Sequence, residues 1–156
     1  MKRKCSYLTA PAAVALLLLS VFCVCQMYPF GTKTLSWCDM DQQVIPFLLD
    51  FKDILSGKAN LFLNMQNSGG MNFWGVFLFF ISSPFTFLVA FIDKAGIYQF
   101  VNILVLLKMM TCALTAEIFF RYRFKNLSLM QSTALSVMYA FCGYTMFYYQ
   151  NHVWLD

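Results

Sequence analysis

From Ile97 to Phe120 the chain is predominantly apolar, contains no proline, and stops at Arg121. As an α-helix that run is about 36 Å long, enough to cross the roughly 30 Å hydrocarbon core of a bilayer. Tyr7 to Met27 and Ser128 to Tyr149 have similar length. The last of these is less hydrophobic and rich in Tyr, Met and small residues, which suits packing against other helices. A fourth run, Phe73 to Ile92, is long enough to span but is interrupted by Ser82-Ser83-Pro84. Proline removes a backbone donor and disfavours helix in the residue before it. Composition agrees: of 156 residues, 60% are hydrophobic and 12% charged, where a soluble domain is about half apolar and a quarter charged. The fold class read from this pattern is an all-α membrane protein.

A cleaved signal peptide competes for the first run. Its apolar stretch is too long for one, no clear A-x-A site follows, and Phe22 and Val24 spoil a lipoprotein-type site at Cys23 or Cys25. The run reads as an uncleaved anchor.

The net charge is +4, and its placement gives an orientation. Basic residues accumulate on the cytoplasmic side of membrane proteins. If residues 73–92 do not fully cross, Lys2, Arg3, Lys4, Arg121, Arg123 and Lys125 lie inside, against Lys33, Lys52, Lys58 and Lys94 outside. If they do cross, the balance reverses. The expected topology therefore has a cytoplasmic N-terminus and spans at about 7–27, 97–120 and 128–149. An outer loop at about 28–96 carries juxtamembrane helices, with residues 73–92 as a re-entrant or interfacial hairpin. Irregular backbone at that depth needs protein cover. Further spans beyond Asp156 would supply it, and the chain is expected to be the N-terminal part of a longer multi-span bundle.

Within the loop, Pro46 suits a first helical position. Phe47, Leu48, Phe51, Ile54 and Leu55 share one helical face, with Asp50 and Asp53 off it. Such a helix lies on a membrane surface.

No basic block resembles a nucleic-acid arm, and no nucleic-acid partner is expected. The cysteines Cys5, Cys23, Cys25, Cys38, Cys112 and Cys142 show no metal-ligand spacing, and Cys23-Val-Cys25 is too close for a CxxC motif. Asn126-Leu-Ser128 matches a glycosylation acceptor but falls on the inner side. His152 is the only histidine.

The candidate chemical groups are few. Asp39 and Asp41 form a D-x-D in the loop, followed by Gln42 and Gln43. By spacing alone, two solvated acids explain them as well as a site does. A carboxylate here can act as general base toward a hydroxyl or help hold a divalent cation, and the glutamines can hydrogen-bond a sugar or orient Asp39. Lys108 lies near the middle of its span, where a charge costs about 2.5–3.5 kcal/mol on insertion scales. It pairs with a carboxylate on another helix or contacts an anion such as a lipid phosphate. Glu117 is nine residues on, on the opposite helical face. Gly69-Gly70 marks a turn, or a place where backbone closely approaches a substrate.

Taken in order, these segments resemble the YfhO family of bacterial membrane proteins. The matching features are a basic N-terminus and one span, Tyr28-Pro-Phe-Gly31, and Asp39-Met-Asp-Gln-Gln43 with Pro46-Phe47. They continue with Asn67-x-Gly69-Gly70, Phe73-Trp74-Gly75, Ser83-Pro84-Phe85, a span with central Lys108, and Asn151-x-x-Trp154-x-Asp156. Met40 and Val44 stand where the pattern has Leu and Tyr, and family chains are several times longer. The resemblance implies a GT-C type glycosyltransferase architecture, with residues 1–156 the N-terminal part of one membrane domain, inactive alone. It also implies transfer of a sugar from a polyprenyl-phosphate donor to a cell-envelope polymer, such as lipoteichoic acid, on the outer face of the bacterial plasma membrane. Asp39 takes the place of the base. Asp41, Gln43, Gly69, Gly70 and Lys108 are the expected substrate-binding residues, and a divalent cation is a possible cofactor.

The competing class is part of a transporter or lipid flippase, for which a buried lysine and a proline-broken hairpin are also suited. Acids in a loop at the surface favour the enzyme.

Overall fold

The computed structural model describes residues 7–36, 38–65, 69–149, 151 and 155. Lys2, Arg3, Lys4, Cys5, Asn67, His152, Trp154 and Asp156 of the sequence reading lie outside them. The described residues form an all-helical protein. Six α-helices run in order: α1 (Thr9–Val24), α2 (Ile45–Leu55), α3 (Phe73–Val76), α4 (Ile97–Arg123), α5 (Leu129–Ala140) and α6 (Gly143–Tyr148). Extended pairing among the described residues is limited to single bridges, Met27 with Lys33 and Asn64 with Met71. The elements fall into two compact units, Met1–Lys33 with Val105–Tyr148, and Thr34–Leu104 with Tyr149–Asp156.

In the first unit α1 packs against α5. Ser132, Ser136 and Ala140 are buried at every fourth position of α5, and Ala10 and Val14 are buried on α1. Small side chains let helix backbones approach closely where lipid gives no hydrophobic drive. Their hydroxyls are internally satisfied, with Ser132 Oγ donating to Leu129 O at 2.9 Å and Ser136 Oγ to Ser132 O at 2.7 Å. A capping box starts α5: Gln131 N–H donates to Ser128 Oγ, and Ser128 N–H to Gln131 Oε1. The apolar run 128–149 is two helices rather than one, with Phe141 and Cys142 between them. The second helix begins at Gly143, a residue type that favours helix ends over interiors.

α1 has 16 residues, about 24 Å, and leaves Leu16, Leu17, Val21 and Val24 exposed. The chain then turns through Tyr28-Pro-Phe-Gly31, closed by Tyr28 N–H to Lys33 O at 2.8 Å and Gly31 N–H to Met27 O at 3.0 Å. A Cβ on Gly31 would collide with the carbonyl of Gln26, so only glycine fits. With 27 residues, roughly 40 Å, α4 is the one helix among those described that is long and apolar enough to cross a membrane unaided.

The second unit is built on α2. Pro46 sits in its first turn, where the missing donor costs nothing. Phe47, Leu48 and Phe51 are buried, whereas Leu55, at the last turn, is 41% exposed. What covers α2 is the broken apolar segment. α3 continues as a π-helical turn, Phe77–Ile81, and after Ser82-Ser83 the chain resumes as a 3-10 helix, Pro84–Phe91. The two arms are bent by 112°. Phe47 meets Phe80 at 5.2 Å between ring centroids, and Phe51 meets Phe77 at 5.1 Å and Phe87 at 5.4 Å. Aromatic pairs in this range add to the stabilisation from burial alone.

The polar edge of α2 fastens the same segment. Lys52 Nζ donates to Ala90 O at 3.3 Å, at the end of the 3-10 helix, where a cation complements the free carbonyls. Asp53 pairs with Lys94 at 2.6 Å.

Candidate functional site

The D-x-D stretch is placed by buried neighbours. Leu35 N–H donates to the Asn102 carbonyl Oδ1 at 2.8 Å, and Asn102 is fully buried on α4. Cys38 then takes a positive φ of 52°, and its carbonyl receives the N–H groups of Asp41 at 3.1 Å and Gln42 at 3.0 Å. This starts a π-helical turn, Met40–Val44, which runs directly into α2. Met40 and Val44 are fully buried. They pin the turn from below and leave Asp39 and Asp41 exposed.

Residues two apart on a helical turn point in widely different directions, and the two acids have different partners. The carboxylate of Asp41 lies beside the phenol of Tyr98, on the first turn of α4. Asp39 Oδ2 accepts from Asn151 Nδ2 at 3.0 Å. Asp39 Oδ1 has no partner among the described residues. The amide that holds Asp39 is thus Asn151 and not Gln42 or Gln43. Gln43 is half-buried one turn before α2.

Calcium takes six to eight oxygens from protein and water, whereas magnesium is held by one or two carboxylates with waters and substrate phosphates. Among the described residues no three His, Cys, Asp or Glu side chains converge, and each acid already faces a neutral donor. The described donor set does not make up a calcium cage by itself.

The other sequence candidates lie on other elements. Gly69 and Gly70 have φ of 76° and 114°, a region that strains any residue with a Cβ. They close a turn whose flanks pair through Asn64 and Met71, with N–H···O distances of 2.9 and 2.8 Å. Asn64 is buried and donates to Asp50 on α2 at 2.8 Å. The turn therefore borders an open cleft of about 280 Å³ lined by Asp50, Asp53, Lys58, Asn60 and Asn64. Lys108 is 3% exposed and belongs to the first unit. It continues the stripe formed by Ile97, Val101 and Leu104 along α4.

A family model described as Bacterial membrane protein YfhO matches residues 12–156. The chain belongs to the YfhO family. The match begins inside α1 and takes in every candidate residue from Asp39 to Asn151. It makes the chain a bacterial membrane protein, in accord with the all-helical fold and the apolar α4. No curated protein and no solved structure matches the chain.

Of the residues that position this candidate site, Tyr98 and Asn102 were not singled out from sequence, and Asn151 was named only within the terminal Asn-x-x-Trp-x-Asp pattern. Each carried a signal. Asn102 is an amide inside an apolar run, Tyr98 a hydroxyl at the start of one, and Asn151 opens the terminal Asn-x-x-Trp-x-Asp pattern.

Proposed function

We propose that this member of the YfhO family works as a GT-C type glycosyltransferase. It would move a sugar from a polyprenyl-phosphate donor to a cell-envelope polymer on the outer face of the plasma membrane. The observation that carries the reading is the unequal state of the two loop acids. Both are exposed, but Asp41 lies beside the Tyr98 phenol, whereas Asp39 is held through one oxygen and has no described partner at the other. A carboxylate so held suits a general base toward an acceptor hydroxyl.

In this reading Asp39 Oδ1 takes the proton of the acceptor hydroxyl. The hydroxyl oxygen bonds to the anomeric carbon, the bond from that carbon to the donor phosphate breaks, and the polyprenyl phosphate leaves with the electron pair. Asp41, Gln43 and the Gly69-Gly70 turn contact the acceptor or the sugar, and Lys108 binds an anion such as the donor phosphate.

The topology proposed with it has a cytoplasmic N-terminus and spans near 7–27, 97–120 and 128–149. Residues 73–92 form a re-entrant hairpin on the outer side. The basic-residue count supports it. So does the 112° bend, because each arm is about 16 Å long or less, only about half of a bilayer core.

The bent apolar pair and the buried Lys108 also suit a transporter or lipid flippase. Reconstitution of the whole protein in vesicles separates the two. With a radiolabelled polyprenyl-phosphate sugar and isolated envelope polymer, the enzyme reading predicts label in the polymer. Movement of label across the bilayer without any transfer would sink it.

A further inference from the structure

Asn151 is 8% exposed, and its two amide atoms are in opposite states. Nδ2 donates to Asp39 Oδ2 at 3.0 Å, joining residues 112 positions apart. Oδ1 is buried with no hydrogen-bond partner among the described residues. An acceptor buried without a donor lowers stability, and an apolar side chain of the same volume would not carry that cost. The hydrogen bond to the Asp39 carboxylate offsets that cost at best. Packing and stability alone therefore do not single out an asparagine here.

What the asparagine does provide is a rigid donor. Burial fixes the amide, and the amide fixes Asp39 Oδ2. Without it, an exposed aspartate on a surface turn samples several rotamers. With it, Oδ1 is the oxygen left to meet a proton. General-base catalysis depends on such placement, since a base must sit within hydrogen-bond reach of the group it deprotonates.

We infer that Asn151 is a positioning residue for Asp39, holding one carboxylate oxygen so that the other receives the acceptor's proton. The inference rests on the assignment of Asp39 as the base. On this inference the loss of Asn151 acts on turnover and not on donor KM.

The test uses the whole protein in vesicles, with kcat and KM for the labelled donor measured beside the melting temperature in detergent. Asn151→Leu removes the donor and the orphaned carbonyl together. It is expected to leave the melting temperature unchanged or higher, to leave donor KM unchanged, and to lower kcat by about 10²-fold, the scale of a small misplacement at a reacting group. Asn151→Asp keeps the shape but sets a carboxylate against Asp39, and is expected to lose at least as much. The pair Asp39→Asn with Asn151→Leu is expected to be no slower than Asp39→Asn alone.

Retention of kcat in Asn151→Asp overturns the inference, even if Asn151→Leu misfolds. An Asn151→Leu loss that multiplies with that of Asp39→Asn overturns it too. In both cases a large effect of Asp39→Asn by itself leaves the glycosyltransferase reading standing. Full transfer by Asp39→Asn overturns the reading and the inference together.

Discussion

The carboxylate of Glu117 accepts the backbone N–H of Ala10 at 2.8 Å, so a residue near the end of α4 caps the first turn of α1. That turn lacks a cap of its own, since Leu8 at the N-cap offers no side-chain acceptor. The other carboxylate oxygen accepts from Thr9 Oγ1 at 2.7 Å and Thr133 Oγ1 at 3.2 Å, with the Arg121 guanidinium 3.8 Å away. Three helices meet on one fully buried acid. A negative charge there also complements the helix dipole.

Removing that acid strands a buried donor on α1 and a part-buried one on α5. Glu117→Ala should cost about 3 kcal/mol, the scale for breaking a buried, charged hydrogen-bond group. Glu117→Gln, which keeps one acceptor, should cost less than half as much. Thermal unfolding in detergent checks both. An unchanged melting temperature for Glu117→Ala would show that the cluster holds nothing together.

The proposed topology is open to labelling. A cysteine introduced at Lys58 or Lys94 should react with a membrane-impermeant reagent added from outside, and one at Lys125 should not. Reaction at Lys125 from outside would reverse the count of basic residues and make 73–92 a full span.

Lys108→Met replaces a buried cation by an apolar side chain of similar length. If Lys108 holds an anion, donor affinity in the whole protein should fall by more than protein abundance does. Unchanged donor KM with raised stability would make the lysine a structural charge only.

Asp41 lies beside the Tyr98 phenol, and its loss should be mild. Asp41→Asn is expected to lower transfer by less than about 10-fold, below the usual range for a general base, and Tyr98→Phe by a similar amount. Equal losses in Asp39→Asn and Asp41→Asn, together with inactivation by a chelator, would point to a shared cation instead.

Much of the architecture is legible because its causes are local. Pro46 marks the start of α2, and Ser82-Ser83-Pro84 marks the break that becomes the 112° bend. Phe47, Leu48 and Phe51 fall on the buried face that the helical period assigns them. Leu55 does not, because the helix ends beside it. The break at Phe141 and Cys142 was masked by a run of continuous hydrophobicity. The site is legible to the extent of Asp39 and Asp41, acids in an otherwise poorly charged chain. Their partners are not, because Asn151 and Tyr98 meet them through tertiary contacts that no local period encodes. Glu117 reads from sequence only as a residue on the wrong face for Lys108. Its role as a cap depends on where α1 and α5 pack.

The most direct measurement of the central claim is transfer by Asp39→Asn in the whole protein, with insertion and abundance measured in the same membranes. As general base, Asp39 should be worth about 10²–10⁴-fold. The account predicts a loss of that size with unchanged abundance. Wild-type transfer by Asp39→Asn would contradict it.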